Sequence, residues 1–296
     1  MNLRTFLLAI AHTAGIGKVR ANRVLEAVSH RYAPDIYPWS WDTLTHVLEL
    51  EPRARDYQQL ESAYQEGLLL AQHFKGKFLT YFDEQYPAAL KEIYQPPLVL
   101  FYEGRLDALR LPPIAIVGTR TATPYALSVL RDFLPALVKE GIGIVSGLAR
   151  GVDVMAHQLT FGQGGVPIAV VGTGLDVAYL GHHHQLQKQI GQQGLLLSEY
   201  PPKTGPRRHH FPDRNRIIAG LSLGTLVVEA KEHSGSLITA NLALQANRQV
   251  LAVPGSIFST ESTGTNQLIQ AGALPVFHAS DIIEAIKAQI IVKEVI

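Results

Sequence analysis

From Ile114 onward, short apolar runs alternate with longer amphipathic segments, which restricts the chain to a mostly parallel sheet covered by helices. The runs fall at 114–117, 142–146, 167–171, 195–198, 225–229, 250–253 and 275–277, enough for a full open sheet. After the first run, Thr123 suits a helix cap and Pro124 the first helical position. Leu127, Leu130, Leu134, Leu137 and Val138 then share one face, so this helix is predicted to pack on the sheet. Right-handed crossovers gather the loops that follow the strands along one edge, where such sheets bind ligands. The predicted class is α/β: an extended Rossmann-like, doubly wound sheet over residues 113–290.

Residues 1–75 read instead as a small all-helical domain, with apolar residues at helical spacing and polar turns such as Ala33-Pro34-Asp35. Pro87, Pro96 and Pro97 mark an extended connector, placed at 76–112. Two domains suit 296 residues, since single cores stop growing at roughly 250–300. The apolar run at 3–10 is broken by His12 and the Gly15-Ile16-Gly17-Lys18 turn, so it is predicted to be a helix, neither a signal nor a membrane span. That turn fits a helix-hairpin-helix, whose backbone N–H groups approach a phosphate, and equally a plain glycine turn between packed helices. The absence of cysteine excludes disulfides, thiolate nucleophiles and cysteine-ligated zinc, and makes the cytoplasm the expected location.

A formal net charge of +1 hides a strongly uneven distribution. Between 203 and 216 five basic residues (Lys203, Arg207, Arg208, Arg214 and Arg216) face the single Asp213, interleaved with His209, His210 and Phe211. The strand-following loops are rich in small residues: Gly118-Thr119-Arg120, Ser146-Gly147-Leu148-Ala149-Arg150-Gly151, Gly172-Thr173-Gly174 and His233-Ser234-Gly235-Ser236. Such loops expose backbone N–H groups at the positive ends of helices, which favours phosphate. Within 211–216, Phe211 offers a stacking ring while Arg214, Asn215 and Arg216 offer donors, the parts that an unpaired nucleic-acid strand requires. A structural alternative makes the same segment a helix start with Phe211 in the core and Arg216 salt-bridged.

Enzymatic readings fit less well. Neither Gly118-Thr119-Arg120-Thr121-Ala122-Thr123 nor Gly172-Thr173-Gly174-Leu175-Asp176-Val177 satisfies the dinucleotide fingerprint Gly-x-Gly-x-x-Gly, and the second strand ends in Ser146 where a ribose-binding acid belongs. Asp153 and His157 lie four apart on a helix but lack a further ligand or nucleophile, so structural hydrogen bonding is expected of them. The run His182-His183-His184 points in three directions and reads as a solvated helix start. No catalytic residue, metal or cofactor is predicted.

In order along the chain, Ile116-Val117-Gly118-Thr119-Arg120, the 146–153 loop with Ala156-His157, Gly172-Thr173-Gly174-Leu175-Asp176, Ser198-Glu199-Tyr200-Pro201 and Phe211-Pro212-Asp213-Arg214-Asn215-Arg216 resemble the DNA-processing protein A (DprA/Smf) family. The likeness continues through Val227-Val228-Glu229-Ala230, Ser234-Gly235-Ser236, Ala252-Val253-Pro254-Gly255 and Gly264-Thr265-Asn266, spanning about 81–286. The resemblance implies a homodimer that holds single-stranded DNA in a basic pocket and delivers a RecA-type recombinase during natural transformation, with no membrane partner. It assigns DNA binding to Arg120, Ser146, Gly147, Gly151, Phe211, Arg214 and Arg216. Charge and position add Gly118, Thr119, Arg150, Lys203, Asn215, Ser234, Gly235 and Ser236 to the expected site. Two departures stand out: Tyr179-Leu180-Gly181 replaces the family's usual Tyr-Pro, and the sequence ends at Ile296, where many relatives add a winged-helix module. The alternative is a nucleotide-cleaving phosphoribohydrolase of the lysine-decarboxylase-like family, whose Pro-Gly-Gly-x-Gly-Thr-x-x-Glu motif is replaced here by Glu229-Ala230-Lys231-Glu232-His233-Ser234-Gly235-Ser236.

Overall fold

A computed structural model describes residues 1–52, 56–178 and 184–295. Tyr179-Leu180-Gly181, His182 and His183 lie outside the described residues, and His184 opens a helix. The chain divides into two compact units, 1–86 with 94–101 and 199–201, and 87–93 with 102–198 and 202–296.

The first unit contains α1 (Leu3–His12), α2 (Lys18–Ser29), α3 (Trp41–Leu48) and α4 (Tyr57–His73). Asn2 caps α1 through the Thr5 N–H, and Ser40 caps α3 through the Thr43 N–H. Phe6, Leu7, Ile10, Leu44, Leu48 and Leu60 form its interior, where the buried Tyr64 hydroxyl donates to the Trp39 carbonyl at 2.8 Å. At the glycine turn, Gly17 precedes α2 without a side-chain cap, and Arg20 donates to the Gly15 carbonyl at 2.8 Å while pairing with Asp56. Part of the segment expected to be an extended connector is regular: β1 (Phe78–Thr80) pairs antiparallel with the first half of β2 (Val99–Gly104). Runs of three residues give too little alternation to be recognised, and the prolines around them mask the pairing.

In the second unit, seven parallel strands lie in the order β6-β5-β4-β3-β7-β8-β9. They are β3 (Pro113–Val117), β4 (Gly143–Ser146), β5 (Pro167–Val171), β6 (Leu195–Ser198), β7 (Gly224–Val227), β8 (Gln249–Ala252) and β9 (Leu274–Pro275). All seven expected strands are present, with ends shifted by up to two residues. The helices are α5 (Ala88–Lys91), α6 (Pro124–Lys139), α7 (Val152–Gly162), α8 (His184–Gln193), α9 (His210–Leu221), α10 (Gly235–Gln245), α11 (Thr263–Gln270) and α12 (Ala279–Val295). One core packs Ile114, Ile116, Ile144, Leu226 and Leu251 of the sheet against Leu130, Phe133, Leu134 and Leu137 of α6, with Ile282 and Ile286 of α12. The buried face of α6 is Ala126, Val129, Leu130, Phe133, Leu134 and Leu137, one step round from the expected stripe, so Leu127 and Val138 sit at its margin. The chain reverses its direction across the sheet at β3, flanked by β4 on one side and β7 on the other. The loops after these strands therefore surround a topological switch point, the place where open parallel sheets leave a crevice. No helix among the described residues is long and apolar enough to cross a membrane.

Candidate nucleic-acid interface

Beyond β3, the Thr119 N–H donates to the Glu229 carbonyl at 2.7 Å, and the Thr119 carbonyl accepts from the Val152 N–H at 3.2 Å. Thr123 caps α6 as expected, and the buried Glu229 carboxylate accepts from both its hydroxyl at 2.6 Å and its N–H at 3.0 Å. Thr121 donates to Glu261 at 3.0 Å, and Lys231 reaches the same oxygen at 3.0 Å. Burial pushes the Glu261 carboxyl up, but hydrogen bonds from Lys231, Thr119 and Thr121 outweigh it and hold the group below the usual carboxylate range. The turn is thus pinned on both sides, leaving the Arg120 side chain exposed at its tip. The Arg150 Nε donates to the Arg120 carbonyl at 3.1 Å, so an exposed side chain from the β4 loop stands beside the β3 turn.

The β4 loop is wired from within. Asp153 accepts from the Gly147 and Ala149 N–H groups at 3.1 and 3.3 Å, and Ser146 donates its hydroxyl to the Ile116 carbonyl at 2.6 Å. From α9, Arg214 donates to the carbonyls of Gly147 and Val170 and, through Nε, to the Asn215 side chain at 3.0 Å. A methyl group on Gly147 would collide with that guanidinium, so close approach of α9 to the loop demands glycine here. Gly151 caps α7 at φ +90°, where a side-chain methyl group would collide with the Thr119 carbonyl and the Arg120 backbone. Gly151→Ala is expected to cost about 1–3 kcal/mol from this backbone position and to displace the Arg120 turn. A melting temperature equal to wild type in thermal unfolding would contradict this.

The expected site residues differ in the partners they already have. The Thr119 and Gly147 N–H groups donate to protein acceptors, the Glu229 carbonyl and the Asp153 carboxylate. Ser146, Arg214 and Arg216 are buried, at 0, 5 and 7% exposure, and Ser146 and Arg214 donate to backbone carbonyls of neighbouring strands and loops. Thr119 and Ser236 are buried likewise. Gly118, Gly151, Phe211, Asn215 and Ser234 are half-buried, while Arg120, Arg150, Lys203 and Gly235 are exposed.

Asp153 and His157 are both buried, and Asp153 makes the internal hydrogen bonds expected of it. Burial pushes the Asp153 carboxyl up, opposed by the Arg214 charge and the two amides. Burial, reinforced by the Arg214 charge, pushes His157 down to about 3. The unfolded chain therefore holds an extra proton between about 6.5 and about 3, so stability falls as the pH drops through that window. His157→Gln is expected to remove up to about 1.4 kcal/mol per pH unit of that slope, as checked by denaturant titrations at pH 4, 5 and 6.5; equal slopes in both proteins would refute it.

Across the sheet, Lys203 at φ +65° donates its N–H to both Asp176 oxygens, at 2.8 and 3.1 Å, and the Gly174 N–H donates to the Thr204 carbonyl at 2.9 Å. These bonds fasten the basic loop to the β5 loop, while Lys203, Arg207, Arg208 and His209 remain exposed. His210 shares a hydrogen bond of 3.0 Å with the Gly172 carbonyl, and the Phe211 ring lies in van der Waals reach of Gly172. At the β7 loop the Ser234 and Ser236 hydroxyls are 2.8 Å apart before α10. Glu229 and Glu261 organise the Arg120 turn, and sequence reasoning misses both. Glu229 falls within a family-like string but has no evident task there, and nothing local distinguishes Glu261. Among the described residues, no cluster of three potential metal ligands occurs.

The profile of the family described as DNA recombination-mediator protein A matches residues 77–287. The chain belongs to this family. Among its relatives, the DNA processing protein DprA of Streptococcus pneumoniae (strain ATCC BAA-255 / R6) is 47% identical over 201 residues, 68% of this chain and 71% of the relative. The X-ray structure of DprA from Streptococcus pneumoniae matches with a TM-score of 0.86 at 36% identity, over 96% of this chain and 98% of that one. A structure of DNA processing protein A from Helicobacter pylori, described for its single-stranded DNA binding mode, matches with a TM-score of 0.65 at 32% identity, over 73% of this chain and 97% of that one.

Proposed function

We propose that this protein binds single-stranded DNA along the strand-following edge of its sheet, and that it does so without catalysing a reaction. The observation that carries this is the set of exposed cations at that edge: Arg120 and Arg150 beside the switch point, and Lys203, Arg207 and Arg208 on the fastened loop before α9. Guanidinium and ammonium groups on pinned loops attract phosphates without first having to be ordered. Phe211, half-buried, contributes an aromatic ring, and Gly235, Ser234 and Asn215 contribute small polar surface. Thr119, Ser146, Gly147, Arg214, Arg216 and Ser236 shape the edge from behind. Membership of the family and the DNA-binding relative from Helicobacter pylori support the reading.

On the same reading, the bound strand is handed to a RecA-type recombinase during natural transformation, by a cytoplasmic homodimer whose two edges act on one strand. Joining two such sites raises the effective concentration of the second. Titrating labelled oligothymidylate, single- and double-stranded, over a range of salt tests the core of the proposal. Tighter binding of the single strand, weakening steeply with salt, is expected; equal or no retention of both forms would sink it. Nucleoside monophosphates incubated with the protein are expected to release no free base.

A further inference from the structure

We infer that Phe258 is a base-stacking residue that extends the single-strand track beyond Arg120 towards β8. This rests on the proposed single-strand reading and adds a second aromatic contact to it. The loop after β8 ends in two adjacent apolar side chains, Ile257 and Phe258, which are 84 and 91% exposed. Among the described residues, Phe258 is the most exposed large apolar side chain, more so than Phe277 at 62% or Ile238 at 44%.

The loop beneath them is not loose. The Asn266 side chain donates to the Gly255 carbonyl at 3.0 Å and accepts from the Gly255 N–H at 3.2 Å. The Phe258 N–H donates to the Ser256 hydroxyl at 3.2 Å, and the Ser259 N–H closes the turn onto the Ser256 carbonyl at 3.0 Å. A fixed turn thus holds a phenyl ring out in water, an arrangement that burial of apolar surface opposes unless a partner covers the ring.

Position and charge identify the partner. The same loop is tied to the Arg120 turn by Thr121 donating to Glu261, and to the start of α6 by the Tyr125 hydroxyl donating to the Pro254 carbonyl at 2.6 Å. Lys231, half-exposed, lies over Glu261 between the β7 and β8 loops. Strand order places the loop that carries the ring on the side of the Arg120 turn away from Lys203. A phosphate chain crossing Arg120 in that direction brings its next bases over an exposed aromatic face. Only an unpaired strand can use that face, because a duplex keeps its base faces stacked on one another. A peptide or a second protein copy would gain from Ile257 and Phe258, but would not call for the neighbouring guanidinium groups.

Phe258→Ala is expected to weaken binding of single-stranded oligothymidylate about 5- to 100-fold, the range of one stacked base. The salt dependence should be unchanged, because the substitution removes no charge. Phe258→Trp should restore or exceed wild-type affinity, with indole fluorescence quenched as the strand is added. An unaltered affinity in Phe258→Ala while the wild-type protein binds the oligonucleotide would overturn this inference and leave the proposed function standing. Failure of the wild-type protein to bind would remove both. A Phe258→Ala protein that binds DNA normally but sediments as a smaller species would assign the ring to contact between copies, and this too overturns the inference.

Discussion

Replacing Arg214 by Ala is expected to cost about 3–5 kcal/mol of folding stability, the cost of breaking a buried charge pair. Its guanidinium donates to two backbone carbonyls, of Gly147 and Val170, and lies among the buried Asp153 and His157. Truncation leaves those carbonyls without their donor and removes the positive charge that opposes the burial of the Asp153 carboxylate. Arg214→Lys keeps the charge but not the fork that spans two acceptors, so it is expected to recover only part of the loss. Urea unfolding of the three proteins is the direct check. A midpoint within error of wild type for Arg214→Ala would mean that α9 is not held to the β4 loop in this way. Weaker DNA binding by this variant would follow from displaced loops, with little change in salt dependence, because the charge removed is not a surface charge.

The opposite pattern is expected for the exposed cations. The triple variant Arg120→Ala/Arg150→Ala/Lys203→Ala should fold with wild-type stability, since these side chains face solvent. Its affinity for single-stranded DNA should fall by about 10²–10³-fold at low salt, and the slope of log affinity against log salt should flatten by about 0.7 for every phosphate that is no longer neutralised. Fluorescence anisotropy at several salt concentrations measures both quantities. An unchanged slope would exclude all three from contact with the strand, whatever happened to the affinity. Together the two variants separate residues that build the edge from residues that touch the guest.

Much of the fold can be read from residue pattern because its strands are buried on both faces. Continuous runs such as 167–171 and 195–198 have no reason to exist outside a covered sheet, and their ends match those of β5 and β6. The β1–β2 pair is hidden because prolines and short lengths conceal a strand. At the candidate site, residue type identifies which loops matter but not which way each group faces. Arg120 and Arg214 look alike in a sequence, yet one is at a turn tip and the other, on α9, is enclosed by the carbonyls of Gly147 and Val170. Only the packing of α9 against β4 and β5 separates them. Likewise, glycine-rich loops promise free amides, whereas Asp153, six residues past Gly147, accepts two N–H groups through a bond that local composition does not reveal. The pairing of Thr121 with Glu261, 140 positions apart, is a tertiary fact with no local signature.

Three buried acids, Asp153, Glu229 and Glu261, occupy the amides and hydroxyls of the turns around the switch point. Those polar groups are already satisfied within the protein, so on the proposed reading binding a polymer would not require them to find new partners. On the proposed reading, a strand would meet cationic and aromatic side chains over a frame whose own polar groups are already paired, so little of the chain would have to be ordered when it arrives.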